Sequence, residues 1–324
     1  MIRLAMNGPI QPARALAIGT SLFTLCLLSQ CGKEPAAESP TAPQAAAAAP
    51  KSTPTPAASP APAAPPAEEK KEKLVWNDAL VHSEIKHFNP NYQGDAQFGI
   101  EEGEVIAVAC PGPNISDLSF VARWPLISLD ISGTKISDLK PLRGKALQEF
   151  FMEDTPVQDL SPLRGMPIEK LYLSRAPVRD IKPLENMPLK ELNAVQTQIA
   201  DLTPLANCPI QMLWLTGTPV ESIRALATMP LVSVTLQGTR VKDLSPLSGT
   251  ALQRLHITET PVEDLTPLKG MTNLTRLVFT PANIKTGMDV AKSLPLQEIG
   301  TRFDEQGKDL VPPAQFWANQ PPTK

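Results

Sequence analysis

The sequence predicts an α/β-type repeat solenoid, a stack of similar coils that share one continuous core. A short motif, Ile/Val-x-Asp-Leu or a close variant, occurs eight times between Ile115 and Val262 at a constant step of 21 residues. A Leu-x-Leu pair, or its apolar equivalent, recurs at one phase of that step, with the two-residue period of a β-strand. Sixteen of the 36 prolines also fall at three fixed phases of the repeat. Self-similarity at this period is typical of stacked coils.

Each part of the unit has a structural interpretation. The unit reads Leu-x-x-Leu-x-Leu-x-x-Thr-x-Ile/Val-x-Asp-Leu-Ser/Thr-Pro-Leu. Leu171 and Leu173 illustrate the strand, whose leucines both point inward while neighbouring strands stack in parallel about 4.7–4.9 Å apart. The Asp-Leu-Ser/Thr-Pro-Leu segment predicts a short outer turn, capped by a hydroxyl such as that of Ser161, with proline at its first position. We therefore predict a leucine-rich repeat horseshoe, with short parallel strands on the concave face and short helical turns or loops on the convex face.

The N-terminus is predicted to be an export signal. Residues 1–30 contain two arginines and no acidic residue. The apolar run from Ala15 to Gln30 is shorter than the about 20 residues of a spanning helix and fits a secretory signal core. The run ends in Leu-Leu-Ser-Gln-Cys, which resembles a bacterial lipobox. That resemblance implies that Cys31 is acylated and becomes the mature N-terminus, with an ordinary signal peptide or an uncleaved anchor as the alternative.

The remaining chain divides by composition. A Pro/Ala-rich stretch after the signal cannot bury a core, and we expect it to be a disordered stalk. The alternating segment around Glu102-Gly103 predicts a β-hairpin that caps the first coil, and Phe316 and Trp317 are expected to fold over the last coil. The predicted regions are 1–30 signal peptide, 31–73 linker, 74–114 N-terminal cap, 115–303 repeats and 304–324 C-terminal cap or tail.

The repeat unit resembles that of bacterial leucine-rich repeat proteins of the internalin-like type, which read similarly through Asp-Ile/Leu-x-Pro-Leu. It is similar, more closely, to exported repeat proteins of planctomycete-like bacteria. In those, a segment like Asn89-Pro-Asn-Tyr-Gln-Gly-Asp precedes the repeats and a Phe-Trp pair like Phe316-Trp317 closes them. The resemblance spans Asn89 to Asn319. It implies the repeat fold and binding of varied partners, and it does not name a ligand.

We predict no catalytic residues, metal site or cofactor. The chain lacks Gly-x-Ser-x-Gly, a phosphate loop, Gly-x-Gly-x-x-Gly and Cys-x-x-Cys. Its net charge of −3 indicates no nucleic-acid partner. Cys110 and Cys208 occupy apolar phases between four and five coils apart, too far for a disulfide, so we expect two free, buried thiols. The recurring aspartate of the motif is expected to bond to the backbone of the outer turn rather than to calcium.

A candidate binding surface lies on the strand positions that face away from the core. The two-residue period of a strand directs these side chains away from the core. Packing of the core therefore gives no reason for them to be aromatic. Aromatic residues and arginine concentrate at binding hot spots. The alternative is that the rings only cover one another on a twisted sheet. The candidate residues are Phe151, Tyr172, Trp214 and His256 between the leucines, and Lys170, Glu191, Met212 and Arg254 beside them.

Three functions remain open at this level. The first is recognition of a protein or peptide, the second is binding of a cell-wall glycan or other polysaccharide, and the third is a purely structural role in the envelope. In each case we expect a lipoprotein of the cell envelope, facing the periplasm or the cell surface, with a secreted or periplasmic protein as the alternative.

Overall fold

The computed structural model describes residues 74–302 and 309–319. The predicted signal, Cys31, the linker and parts of the C-terminal tail lie outside the described residues. Within the described part, no helix is long and apolar enough to cross a membrane.

One sheet organises the described residues, and its strands follow the order of the chain. It begins with an antiparallel hairpin, β1 (Gln97–Glu101) and β2 (Glu104–Ala109), with its turn at Glu102-Gly103 as the sequence predicts. From β2 onward the neighbouring strands are parallel. The three-residue strands are β3 (Ser128–Asp130), β4 (Glu149–Phe151), β5 (Lys170–Tyr172), β6 (Glu191–Asn193), β7 (Met212–Trp214), β8 (Ser233–Thr235), β9 (Arg254–His256), β10 (Arg276–Val278) and β11 (Glu298–Gly300).

The central residue of each short strand forms a continuous apolar column. Each member pairs in register with the next, as Phe150, Leu171 and Leu192 do in β4, β5 and β6. Every member is at most 1% exposed. Since strand side chains alternate between faces, a shift of one residue would turn the whole column toward solvent. The predicted inward orientation of the leucines is confirmed.

Short 3-10 turns carry the chain along the opposite side of each coil. Those of the Asp-Leu-x-Pro-Leu type include Ser161–Leu163 and Thr203–Leu205, with proline at the second position. The full set is Ser119–Arg123, Lys140–Leu142, Ser161–Leu163, Lys182–Leu184, Thr203–Leu205, Arg224–Thr228, Ser245–Leu247, Thr266–Leu268 and Pro281–Asn283.

The turns are capped by aspartate, not by the hydroxyl residues that the sequence suggested. Ser161 opens its turn, and its backbone N–H donates to Asp159 Oδ1 at 2.8 Å. Its hydroxyl donates to the same carboxylate, and both bonds hold the pKa of Asp159 below its ordinary value. Leu160 occupies the N-cap position, but its side chain is apolar and buried and cannot accept a hydrogen bond. The acceptor for the first backbone N–H of the turn is therefore the side chain of the preceding residue, Asp159. The same backbone bond, 2.8–2.9 Å long, is made by Asp117, Asp138, Asp180, Asp201, Asp243 and Asp264.

A column of buried threonines that follow the short strands closes the other bend of the coil. In five of them the hydroxyl donates to the carbonyl three residues earlier, as Thr218 does to Leu215 at 2.8 Å, whereas the Thr134 hydroxyl accepts the N–H of Ile136. Thr155, Thr197, Thr239 and Thr260 repeat the bond at 2.7–2.9 Å. These side chains are buried, so the local bond satisfies a hydroxyl that water cannot reach.

The N-terminal cap contains a helix that the repeat pattern did not predict. Helix α1 (Asp78–Phe88) begins where Asn77 Oδ1 accepts the N–H of Leu80 at 3.1 Å. Its Val81 and Ile85 are fully buried in the core. The side chain of Asn89 then ties the cap to the first coil, since its Oδ1 accepts the N–H groups of Ser116 and Asp117 and its Nδ2 donates to the Asp117 carbonyl.

The last coils end in two short helices, α2 (Met288–Ser293) and α3 (Pro313–Ala318). Phe316 of α3 is buried, with its ring centroid 6.0 Å from that of Phe279 in the repeat core. The Trp317 ring lies 6.4 Å from the same phenylalanine. The Phe-Trp pair therefore packs against Phe279 near the end of the described repeats.

Replacing a threonine of the column should measure its local bond. Thr218→Val keeps the side-chain shape and removes the donor to the Leu215 carbonyl, so we expect a loss of about 1 kcal/mol in the free energy of unfolding. Urea denaturation measures this loss. Thr216→Val is the matched control, because Thr216 is partly exposed, and its effect should stay within about 0.5 kcal/mol. Equal effects of the two variants would contradict the assigned role.

Candidate functional site on the concave face

The face of β3–β11 that points away from the leucine column is called the concave face. Two columns of side chains line it. The central column is the third residue of each strand, and the flanking column is the first; both keep the register that the sequence spacing predicts. The central column is Asp130, Phe151, Tyr172, Asn193, Trp214, Thr235, His256, Val278 and Gly300. The flanking column is Ser128, Glu149, Lys170, Glu191, Met212, Ser233, Arg254, Arg276 and Glu298.

Three aromatic side chains of the central column form one cluster, called the aromatic cluster: Phe151, Tyr172 and Trp214. All three are partly exposed. The rings of Phe151 and Tyr172 meet edge to face at 5.1 Å, and those of Tyr172 and Trp214 at 6.0 Å. Trp214 lies two strands from Tyr172, and the shorter Asn193 stands in the column between them. The rings therefore form one apolar surface across four strands.

Charged side chains of the flanking column border this cluster. Lys170 Nζ lies 2.9 Å from Glu149 Oε1, and the bond to Glu149 raises the pKa of the lysine. The Tyr172 hydroxyl donates to Glu191 Oε2 at 2.9 Å. The glutamate thus holds the tyrosine ring in place, while the apolar part of the ring remains partly exposed.

The flanking column continues past the cluster with a thioether and two arginines. Arg254 Nη2 lies 3.6 Å from Met212 Sδ. Arg276, on the next strand, forms an ion pair with Glu298, with Nε 2.6 Å from the carboxylate. The concave face therefore changes along the sheet from an aromatic surface to a cationic one.

His256 is not exposed as the sequence suggested. Its side chain is only 7% exposed, and its Nε2 lies 2.6 Å from Thr258 Oγ1. Burial lowers the pKa of His256 to about 4, while the charge of Glu259 acts in the opposite direction. Val278, the next residue of the central column, is buried as well. The histidine is therefore a covered polar residue at the edge of the candidate site.

The end of the central column is closed by a returning chain segment. Val311 pairs with Ile299 in an antiparallel bridge beside β11. At Gly300 a Cβ would lie 2.8 Å from the Asp309 carbonyl oxygen, so this position has no room for a side chain. The valine and glycine that end the column, Val278 and Gly300, are the sequence signal that could have indicated a covered region.

Other reactive groups of the described residues do not form a site. No group of three or more histidine, cysteine or acidic side chains in the described ranges is arranged to hold a metal ion. Cys110 and Cys208 are free and buried, as expected, and burial raises the pKa of both thiols. Both therefore act as packing residues.

His256 should make stability depend on pH. Its folded pKa of about 4 lies below the ordinary value of 6.5, so its contribution is complete above about pH 6.5 and is lost as pH falls toward 4. The expected loss reaches about 3 kcal/mol. Urea midpoints measured between about pH 7 and pH 4 should fall less steeply for His256→Gln. The exposed His87→Gln variant is the control and should keep the wild-type slope, and an unchanged slope in His256→Gln would contradict the prediction.

No protein-family model matches the sequence, and a search of curated proteins finds no match. Solved structures do match. An internalin (InlF) from Listeria monocytogenes shares 20% identity and a TM-score of 0.51, with 69% of this chain and 75% of that chain covered. Internalin C2 from the same organism shares 20% identity and a TM-score of 0.52, with 64% and 95% covered.

A plant ice-binding protein also matches, with 13% identity, a TM-score of 0.50, and coverage of 65% of this chain and 84% of that one. At these identities the matches show the fold alone. Together with the parallel sheet and the repeated 3-10 turns, they show that this chain folds as a leucine-rich repeat solenoid like that of the internalins.

Proposed function

We propose that this chain is an exported, lipid-anchored, non-enzymatic repeat protein that binds a protein or peptide partner through its concave face. The observation that carries the proposal is the aromatic cluster. Its three rings are partly exposed, and the adjacent leucine column already fills the core without them. The rings are therefore available for contact with a partner.

The surroundings of the cluster support binding. A protein-binding site typically combines an apolar centre with a polar rim, and aromatic residues and arginine contribute most of its energy. Here Lys170, Glu149 and Glu191 border the rings. Because Tyr172 is already held by Glu191 and by its ring neighbours, a partner would pay little conformational entropy to order it.

Export and anchoring rest on the N-terminal sequence. The lipobox-like segment ends at Cys31, and residues 31–73 separate it from the cap. In a polyproline II conformation of about 3.1 Å per residue, this linker would span on the order of 100 Å. Such a stalk would place the repeats away from a membrane, in the periplasm or at the cell surface.

Loss of the aromatic cluster should abolish partner binding. In a quantitative pull-down from envelope proteins of the host, a variant carrying Phe151→Ala, Tyr172→Ala and Trp214→Ala should lose more than about 90% of each specific partner, because hot-spot aromatics commonly contribute 2 kcal/mol or more each. The control, Val75→Ala with Leu80→Ala, removes exposed apolar groups from the N-terminal cap. Partners that both variants retain would contradict the proposal.

The same pull-down, repeated with the polysaccharide fraction of the host envelope, separates the alternatives. A polysaccharide ligand should stay bound at about 0.5 M salt, since stacking on rings is little screened, and should be lost with Trp214→Ala alone. A purely structural protein should show no partner that depends on the cluster.

The mature N-terminus should be a lipidated Cys31. Mass spectrometry of the protein from its host membrane should find a diacylglyceryl group on this residue and no residues before it. Cys31→Ala should release the protein from the membrane fraction. An unmodified Cys31, or cleavage at another position, would contradict lipid anchoring and leave the concave site unaffected.

A further inference from the structure

Arg254 carries a charge that none of the described carboxylates neutralises. It lies partly buried on β9, in the flanking column. Its guanidinium contacts the Met212 sulfur at 3.6 Å, and a thioether is only a weak acceptor. Among residues 74–302 and 309–319, no carboxylate forms an ion pair with it.

The other ionic side chains of this column differ. Lys170 is bonded to Glu149, Glu191 accepts the Tyr172 hydroxyl, and Arg276 is paired with Glu298. Like charges on directly neighbouring strands are unfavourable, and Arg254 stands beside Arg276 in register. The ion pair with Glu298 offsets the positive charge of Arg276 and not that of Arg254.

The repeat itself does not require arginine at this position. On the preceding strand the same position holds Ser233, which is small and neutral. A guanidinium presents parallel N–H donors that match a carboxylate, and such charge-assisted bonds are about twice as strong as neutral ones. An acidic group of a partner is therefore the natural acceptor for Arg254.

Arg254 also lies close to the aromatic cluster. Trp214 is on β7 and Arg254 on β9, which places their strands about 10 Å apart at the usual spacing. Met212 connects Arg254 to the aromatic cluster: it lies on the same strand and face as Trp214, and its sulfur contacts the Arg254 guanidinium. An extended peptide advances about 3.3 Å per residue, so about three residues cover the distance.

We propose that the partner binds as an extended peptide segment that presents a carboxylate to Arg254 and, about three residues away, an aromatic or aliphatic side chain to the aromatic cluster. This inference rests on the proposed function and specifies the ligand of the same site. The rings of the cluster meet at interplanar angles of 61° and 74°, which creates an uneven apolar surface. Such a surface suits a compact side chain better than the broad face of a sugar ring, which stacks on a single exposed aromatic plane, so a peptide is favoured over an acidic polysaccharide.

The experiment selects a random-peptide phage library on the immobilised full-length chain. Peptides that bind the wild type should be enriched in an acidic residue about three positions from an apolar one. Arg254→Gln should remove the acidic preference, keep the apolar one, and weaken the best peptides by about tenfold, as expected for loss of a charge-assisted contact. Arg164→Gln is the matched control, since it changes the same charge at an exposed outer turn and should select the same peptides as the wild type.

Salt dependence gives a second readout. Raising salt from about 0.05 to 0.5 M should weaken acidic peptides on the wild type and on Arg164→Gln, and much less on Arg254→Gln. The same acidic enrichment on Arg254→Gln and the wild type would overturn this inference while leaving the concave site intact. Peptides that still bind after loss of the aromatic cluster would overturn the proposed function. Failure to select any peptide, together with binding of an acidic polysaccharide that depends on Arg254, would overturn the peptide as ligand.

Discussion

The rest of the structure depends on the buried register of the leucine column. No coil of three-residue strands could be stable alone, and each acquires its core only from the coils on either side. Neighbouring strands pair in the same register, so Leu171 lies between Phe150 and Leu192. This register also aligns the other residues of each repeat unit with their equivalents in the next coil. The outward columns are a consequence of the same register, because alternate residues of a strand must face opposite sides.

Local polar bonds shape each coil around this core. The aspartate before seven of the described outer turns accepts a backbone N–H, and the threonine after five of the described strands donates its hydroxyl to a nearby carbonyl. Both bonds are made within the coil, so they repeat with it and leave the concave side chains free to vary. That freedom allows rings and charges to occupy the sheet without any loss of core packing.

The concave face has two regions that differ in solvent exposure. Around Tyr172 the rings are partly exposed, and Glu191 accepts the tyrosine hydroxyl, whereas His256 and Val278 are covered. On the strands of the covered region, in the flanking column, Arg254 has a thioether as its contact, while Arg276 has a carboxylate. Among the described residues, the charged side chains of this column have charged or polar partners except Arg254, which lies beside the apolar surface that we propose as the binding site.

The sequence by itself determined what repeats: the solenoid, the inward leucines, the facing columns and the aspartate bonds to the outer turns. It also placed Cys110 and Cys208 at apolar phases too far apart for a disulfide. These follow from periodicity, because a constant step places equivalent residues side by side. Only the tertiary structure decided the features that occur in a single coil or cap. Helix α1 and the tie at Asn89 belong to a cap outside the repeat, and the burial of His256 and the thioether contact of Arg254 depend on neighbours that are distant in the chain or change from coil to coil. Periodicity reports the environment that all coils share, and it carries no information about contacts that a single coil makes.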